Sequence, residues 1–324
     1  MCMQPKRDTQ VTFFDMAVGQ RGAGNAVLET ISSVVDFTEA EELVAATYGP
    51  GGRPACRVGV LLRVMILQHL YGLSDPQAEA QLKDRLSFQK FVQLGAQETV
   101  PDETTICRFR QRLIKCRLHE QLLGLVNRGL EARGYIVKRT TMVDATLIES
   151  SRKRPEVKAV AEGRAPDTDA TYTRDGRRSF YGYKAHVSSD GEHQLIRTAL
   201  ISTASAQEAH FLERIAPTDS QEIYGDKAYD TKANKAWLRK QGIRSRLMKK
   251  GARHIKLSTW DQRNNRRKAR VRRHIERIFA HLKHWQRYRR VRYLGLARNQ
   301  LELTLKAVAY NLKRLCGIMK MQDA

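Results

Sequence analysis

Residues 266–290 read RRKARVRRHIERIFAHLKHWQRYRR, a basic run interrupted by one acid, Glu276. Its apolar residues Val271, Ile275, Ile278, Leu282 and Trp285 recur at steps of four, three, four and three. That spacing predicts an amphipathic helix packed on a core along this seam. Arg272 falls one turn before Glu276 and Lys283 two turns after it, so the three side chains project from nearly one face. A carboxylate held between cations that can grip phosphates is a candidate metal ligand at a polynucleotide. The other reading makes Glu276 an ion-pair partner at i±4 that relieves repulsion in a charged helix.

The rest of the charge follows the same pattern. The chain of 324 residues carries a formal charge of +24, and the window from Arg244 to Arg292 alone holds 19 Lys and Arg against Asp261 and Glu276. Such a concentration repels itself in a compact state unless a polyanion neutralises it, and nucleic acid is the expected one. A chain this long is expected to hold two domains with proper cores. Five scattered cysteines without a CxxC pair argue against a disulfide framework or a zinc knuckle and suit a reducing cytoplasm. The first twenty residues lack an apolar core of signal-peptide length. The most apolar run, 58–73, is broken by Arg63, Gln68 and His69, so no membrane span is expected.

Taken in order, residues 40–48 suggest a helix, stopped by the loop GPGGRPA. From Val58 the pattern is helical, with Leu61, Leu62, Met65, Ile66 and Leu70 on one face and a stop near Gly72. Ser74 is placed to cap the next helix, with Asp75 and Pro76 in its first turn. Further helices are expected over 87–94, from Asp102 through RFRQRLIK, and over 119–133 with a stop at Gly134. Arg108, Arg110, Arg112 and Lys115 offer a DNA-reading helix, or an ordinary solvated face.

Near Tyr135 the character changes to strands. YIVKRTTMVDATLIES places Met142, Asp144, Thr146 and Ile148 on one face, which leaves a carboxylate inside an apolar strand and in need of a partner. The basic insert 151–178 is too rich in Pro, Gly and charge to pack, so a mobile, ligand-touching loop is expected there. Two strands, 179–188 and 194–202, follow around the turn Asp190-Gly191, and Ser205 with Glu208 resembles a capping box. The fourth strand, EIYGDKAYD, ends in Asp226, at the kind of strand lip where ligands of open sheets collect. A helix over 231–241, a strand over 243–249, a linker with Trp260, the basic helix and a last helix over 300–315 complete the chain.

The order β-β-β-α-β-α-β-α, with acids on the first strand, after the fourth and on the late helix, is that of the RNase H-like fold: α/β, a mixed sheet flanked by helices, here preceded by an all-α domain. The chain from about residue 50 resembles a bacterial insertion-sequence transposase of the DDE type, of the insertion-sequence-five group. LLRVMILQHLYGLSDPQAEAQL and VPDETTICRFR look like that group's helical domain. VDATLIES, YGYKAH, GDKAYD and RRHIERIFAHLK look like its catalytic blocks, in the right order and spacing. The resemblance implies that Asp144, Asp226 and Glu276 are the catalytic, metal-holding triad. Arg272 and Lys283 match the R-(3)-E-(6)-K part of a signature known in related elements. The tyrosine that opens the signature falls at position 269, which here is Ala269, so no role is carried over for its hydroxyl.

Three acids suit a phosphodiester because that anion repels its nucleophile. Two Mg²⁺ about 4 Å apart can activate water and neutralise the leaving oxygen, and Mg²⁺, with Mn²⁺ as its substitute, prefers hard oxygen ligands. Expected DNA contacts are Arg272, Arg273 and Lys283; Lys184 and His186, on one face of the second strand, either touch phosphate or simply face solvent. Trp260 either stacks a flipped base, as in related enzymes, or packs. The expected organisation is a helical, DNA-binding domain over 1–134 and a catalytic domain over 135–324. The expected reaction is hydrolysis at a transposon end followed by strand transfer into target DNA. A metal nuclease without strand transfer, or a catalytically dead DNA-binding regulator, are the rival readings. The resemblance further implies a homo-oligomer on terminal inverted repeats, and a cytoplasmic, nucleoid-associated protein.

Overall fold

The computed structural model describes residues 24–49, 56–95, 98–156, 158, 160, 162–176, 178–251 and 256–322. The expected loop GPGGRPA lies almost wholly outside them. The chain divides into two compact units, residues 1–130 with 308–324, and residues 131–307. The expected division at 134/135 therefore differs at the far end, because the last turns of the C-terminal helix cluster with the N-terminal helices. Within that unit Leu312, Leu315, Cys316 and Ile318 are buried, and Asn311 donates to Asn127 at 2.9 Å.

The first unit is helical: α1 (Ala26–Val34), α2 (Thr38–Ala45), α3 (Val58–Tyr71), α4 (Asp75–Asp84), α5 (Leu86–Val92), α6 (Glu103–Lys115) and α7 (His119–Ala132). The start and stop signals act where the sequence puts them. Ser74 and Gln77 form a capping box on α4, Asp102 accepts from Thr105 N at 2.6 Å on α6, and Gly72 ends α3 at φ +70. α3 is not one-faced, however. Every residue from Val58 to His69 is buried, as in a helix at the centre of a core.

The arginines of α6 correct another expectation. Arg110 is 5% exposed and donates to Asp75 (Nη1 to Oδ2, 2.8 Å), while Arg112 donates to Thr47 O at 2.8 Å and stacks over Tyr48. Two of the four expected reading residues thus hold the helices together. Arg108 and Lys115 remain exposed.

The second unit carries the sheet: β1 (Thr140–Glu149), β2 (Thr171–Asp175), β3 (Arg178–Asp190), β4 (Ile196–Thr203), β5 (Glu222–Tyr224) and β6 (Arg244–Ser245). β3 runs antiparallel to β1 and β4, while β1, β5 and β6 are parallel neighbours, giving the order β4-β3-β1-β5-β6. This is the RNase H-like order, and β2 from the insert extends it by pairing with the first residues of β3. Helices α8 (Leu212–Ile215), α9 (Lys232–Lys240), α10 (Thr259–His284) and α11 (Leu296–Gln322) complete the described chain.

The insert is anchored at its second half rather than free. Asp167, 1% exposed, accepts from Ser150 Oγ at 2.8 Å and from Tyr183 OH at 2.6 Å, and Asp169 accepts from Leu296 N at 2.8 Å at the start of α11. Two acids at spacing i, i+2 supply the acceptors that a charge-rich segment otherwise lacks. The fourth and fifth strands are shorter than expected, because their ladders end after Tyr224 and Ser245.

Candidate active site

Asp144 and Asp226 are brought together by strand register. Met142 on β1 faces Tyr224 on β5 in a parallel ladder. Each acid lies two residues further along its chain, so Asp226 stands just past the end of β5 while Asp144 stands at the same level in the middle of β1, beyond the last β1–β5 pair; neighbouring strands run about 4.8 Å apart. Gly225 makes the approach possible, since a Cβ there would lie 2.8 Å from Leu247 Cδ2 and 3.0 Å from Val143 Cγ2. Asp226 then caps the short turn Lys227–Tyr229, its carboxylate accepting from Lys227 N at 2.7 Å.

Glu276 reaches the same region from α10, which lies on β1 and β5. Arg272 links the helix to the strand: its Nη1 donates to Asp144 Oδ2 at 2.6 Å and its Nη2 to Glu276 Oε1 at 3.3 Å. Asp144 is nearly dry at 8% exposed, whereas the Glu276 side chain is 54% exposed. Burial pushes the Asp144 carboxyl up to about 7; the Arg272 charge and the Ala145 N–H oppose this, while Glu208 and Asp226 add to it.

Three acids thus share one region, but not yet one point. Among the described residues no three acid, histidine or cysteine side chains are grouped closely enough to hold a metal ion. The donor set nonetheless fits a hard divalent cation chemically, being all oxygen, with one member almost fully desolvated and a cationic guanidinium already seated between two of them.

Two residues that the sequence reading did not assign to the site belong to this neighbourhood. Glu208 was expected to close a capping box, yet the turn it opens has no side-chain cap, and Glu208 pairs with Lys184 Nζ at 3.3 Å. Tyr229 is fully buried, its hydroxyl has no hydrogen-bond partner among the described residues, and burial, helped by Asp144, Glu208 and Asp226, raises it well above the usual tyrosine range. The GDKAYD block contained the signal for Tyr229: an aromatic three residues after a lip acid turns back under it.

The remaining candidates separate into two groups. His186 does not face solvent: it is fully buried, shares a hydrogen bond with Ser202 Oγ at 2.8 Å, and stacks on Phe211 at 4.2 Å. Burial drives its pKa down to about 3, so it is neutral. Lys184 donates to Ala206 O at 3.0 Å as well as pairing with Glu208, so both partners are within the protein. Arg273 is exposed and Lys283 half-buried, both on α10. Trp260 lies on the first turn of α10 rather than in a linker, is 69% exposed, and opens on a cleft of about 470 Å³ lined also by Arg239, Lys268 and the ion pairs Lys235–Asp230 and Lys249–Asp261, which leaves it net positive. Trp285, expected in the seam, is 76% exposed because α10 ends at His284 and the chain turns there. Ile275, Ile278 and Leu282 do line the seam.

The outer face of α10 is the largest feature that the motif reading passed over. Arg263, Arg266, Arg270, Arg273 and Arg277 recur at threes and fours, all exposed, and none has a hydrogen bond or ion pair among the described residues. Five unpaired cations in line make a track for a phosphate backbone.

Comparison with known families matches residues 136–312 to a transposase DDE domain and residues 18–112 to a transposase domain (DUF772). Among solved structures, the piggyBac transposase synaptic complex with hairpin DNA is similar at 7% identity and a TM-score of 0.40, over 90% of this chain and 73% of that one. A pre-cleavage Mos1 transpososome follows at 8% identity and a TM-score of 0.20, over 90% and 97% of the two chains. The Mos1 mariner paired end complex with Mn follows at 10% identity and a TM-score of 0.20, over 95% and 99%.

Proposed function

The chain belongs to the transposase DDE domain family and is a DNA transposase, and from that premise we propose that Asp144, Asp226 and Glu276 are its catalytic acids, acting on the phosphodiester at a transposon end. The observation that supports this assignment is the parallel register of Met142 with Tyr224, from which Asp144 on β1 and Asp226 just past β5 each follow by two residues, on strands packed against the helix bearing the third acid. A divalent cation, Mg²⁺ or Mn²⁺, bound by these carboxylates supplies positive charge to the phosphodiester and lowers the pKa of the attacking water.

What the chain itself does is hold, orient and neutralise. β1 and β5 fix the separation of Asp144 and Asp226, and the seam of Ile275, Ile278 and Leu282 fixes the rotation of α10 that turns Glu276 toward them. Arg272, Arg273 and Lys283 contact the phosphates nearest the acids. The arginine track on the outer face of α10 carries the flanking duplex, and Trp260 with the basic cleft beside it takes a base or a sugar-phosphate further along. Neutral, buried His186 and the internally bonded Lys184 support the sheet and the Glu208 turn, and are not assigned to DNA.

The reaction proposed is hydrolysis that frees a 3′-OH, followed by attack of that hydroxyl on target DNA at the same acids. The helical unit at the N-terminus contributes DNA binding, and two copies hold two terminal inverted repeats. The test uses a duplex carrying the element's own end, nicked at the expected position, incubated with target plasmid and Mg²⁺. Joined product that disappears in Asp226→Ala, with DNA affinity kept, supports the assignment. Cleavage of an uncut end without any joining points to a nuclease, and full activity in Asp226→Ala removes that acid from the chemistry.

A further inference from the structure

We propose that Arg272 is the resident counter-charge of the acid site: it sits between Asp144 and Glu276 until a divalent cation takes its place, and then turns its guanidinium to a DNA phosphate. The inference rests on the assignment of those acids made above.

The geometry has three parts. One guanidinium fork reaches both carboxylates, at 2.6 Å and 3.3 Å, and joins residues far apart in the chain on one cation. The oxygens it occupies are those a hard cation would bind, and a carboxylate oxygen engaged by N–H donors is a poorer metal ligand. Two positive groups therefore compete for one seat. Lys184 is committed to Glu208 and Ala206 O, so it does not take over when Arg272 leaves.

The seat is also incomplete. Arg272 Nε is buried without a hydrogen-bond partner among the described residues, and the bond to Glu276 is long and half in solvent. A buried donor left unpaired costs free energy, and a phosphate offers more acceptor oxygens in the flat geometry that guanidinium prefers. Release begins on the Glu276 side, where the contact is weaker and wetter, and ends with Asp144. Metal entry and phosphate capture are then coupled: the arginine freed by the first becomes available for the second.

The test is Mn²⁺ binding to the full chain without DNA, read from the electron paramagnetic resonance of free Mn²⁺, beside thermal melts in EDTA. Arg272→Gln should bind Mn²⁺ about tenfold more tightly than wild type, roughly the worth of one charge-assisted hydrogen bond. It should also melt lower in EDTA and recover on adding Mn²⁺. Arg272→Lys, which keeps the charge but cannot bridge two carboxylates, should fall between, and it decides the matter if the glutamine variant does not fold. Equal or weaker Mn²⁺ binding in the folded variants, with wild-type binding abolished by Asp144→Asn, overturns the inference and leaves the acid assignment standing. Mn²⁺ binding that survives Asp144→Asn overturns both.

Discussion

Arg272 Nη1 lies 2.6 Å from Asp144 Oδ2, although 128 residues separate them in the chain. The contact ties the first strand of the sheet to the helix that carries the third acid, and it answers the question raised by a carboxylate placed inside an apolar strand. The answer is partial, because burial still outweighs the arginine and leaves the carboxyl raised to about 7 from an ordinary 3.8.

That shift has a sign that can be measured. Between about pH 4 and 7 the folded chain keeps on Asp144 a proton that the unfolded chain has released. The stability it contributes is therefore full below the lower value and is lost as pH rises through the upper one. In melts with EDTA, the stability of wild type relative to Asp144→Asn should decline from acid to neutral pH. A difference that does not vary with pH across this window contradicts the burial described here.

Gly225 separates Tyr224, the last residue of β5, from Asp226 and packs directly against Leu247 and Val143. Gly225→Ala should cost about 1–3 kcal/mol in stability, since a methyl group there meets Leu247 and Val143 within 3.0 Å. Strand joining should fall further than stability alone accounts for, because the added bulk moves Asp226. Chemical unfolding and the joining assay, run on the same sample, separate the two effects.

His186 provides a negative control for DNA contact. Removing its ring in His186→Ala empties a fully buried site and should destabilise by about 3 kcal/mol. The slope of log K against log salt for duplex DNA should stay as in wild type. A shallower slope in a folded variant would place this histidine on phosphate after all.

The outer face of α10 gives the opposite pattern. Replacing Arg263, Arg266, Arg270 and Arg277 by glutamine should leave stability within about 0.5 kcal/mol, because none of the four has a partner to lose among the described residues. The salt slope should become shallower by about 3 to 4, one phosphate contact for each residue. An unchanged slope would mean that DNA runs along another surface.

Features set by near neighbours in sequence were readable before the structure: Ser74 and Asp102 as caps, Gly72 and Gly134 as stops, Asp144 on an inward strand face, Glu276 beside a seam of Ile275, Ile278 and Leu282. Features set by distant partners were not. His186 shares a face with Lys184 on a strand that reads as half-polar, yet Phe211 and Ser202 close over it. The spacing from Ser205 to Glu208 suits a capping box as well as an ion pair, and only the position of Lys184 decides between them. Trp285 continues the helical period on paper, but the helix stops one residue earlier and the period ceases to apply. In the insert, nothing local announces that Asp167 will meet Tyr183 and Ser150.

The acid assignment is tested most directly by crystals of the chain bound to an end duplex, grown with Mn²⁺ and measured for anomalous scattering. An anomalous peak is expected within ligand distance of the Asp144 and Asp226 carboxylates and close to Glu276, with the Arg272 guanidinium moved onto a phosphate. A peak elsewhere would contradict the acid assignment, whereas Arg272 still seated between Asp144 and Glu276 beside a fully bound metal ion would contradict only the exchange proposed for Arg272.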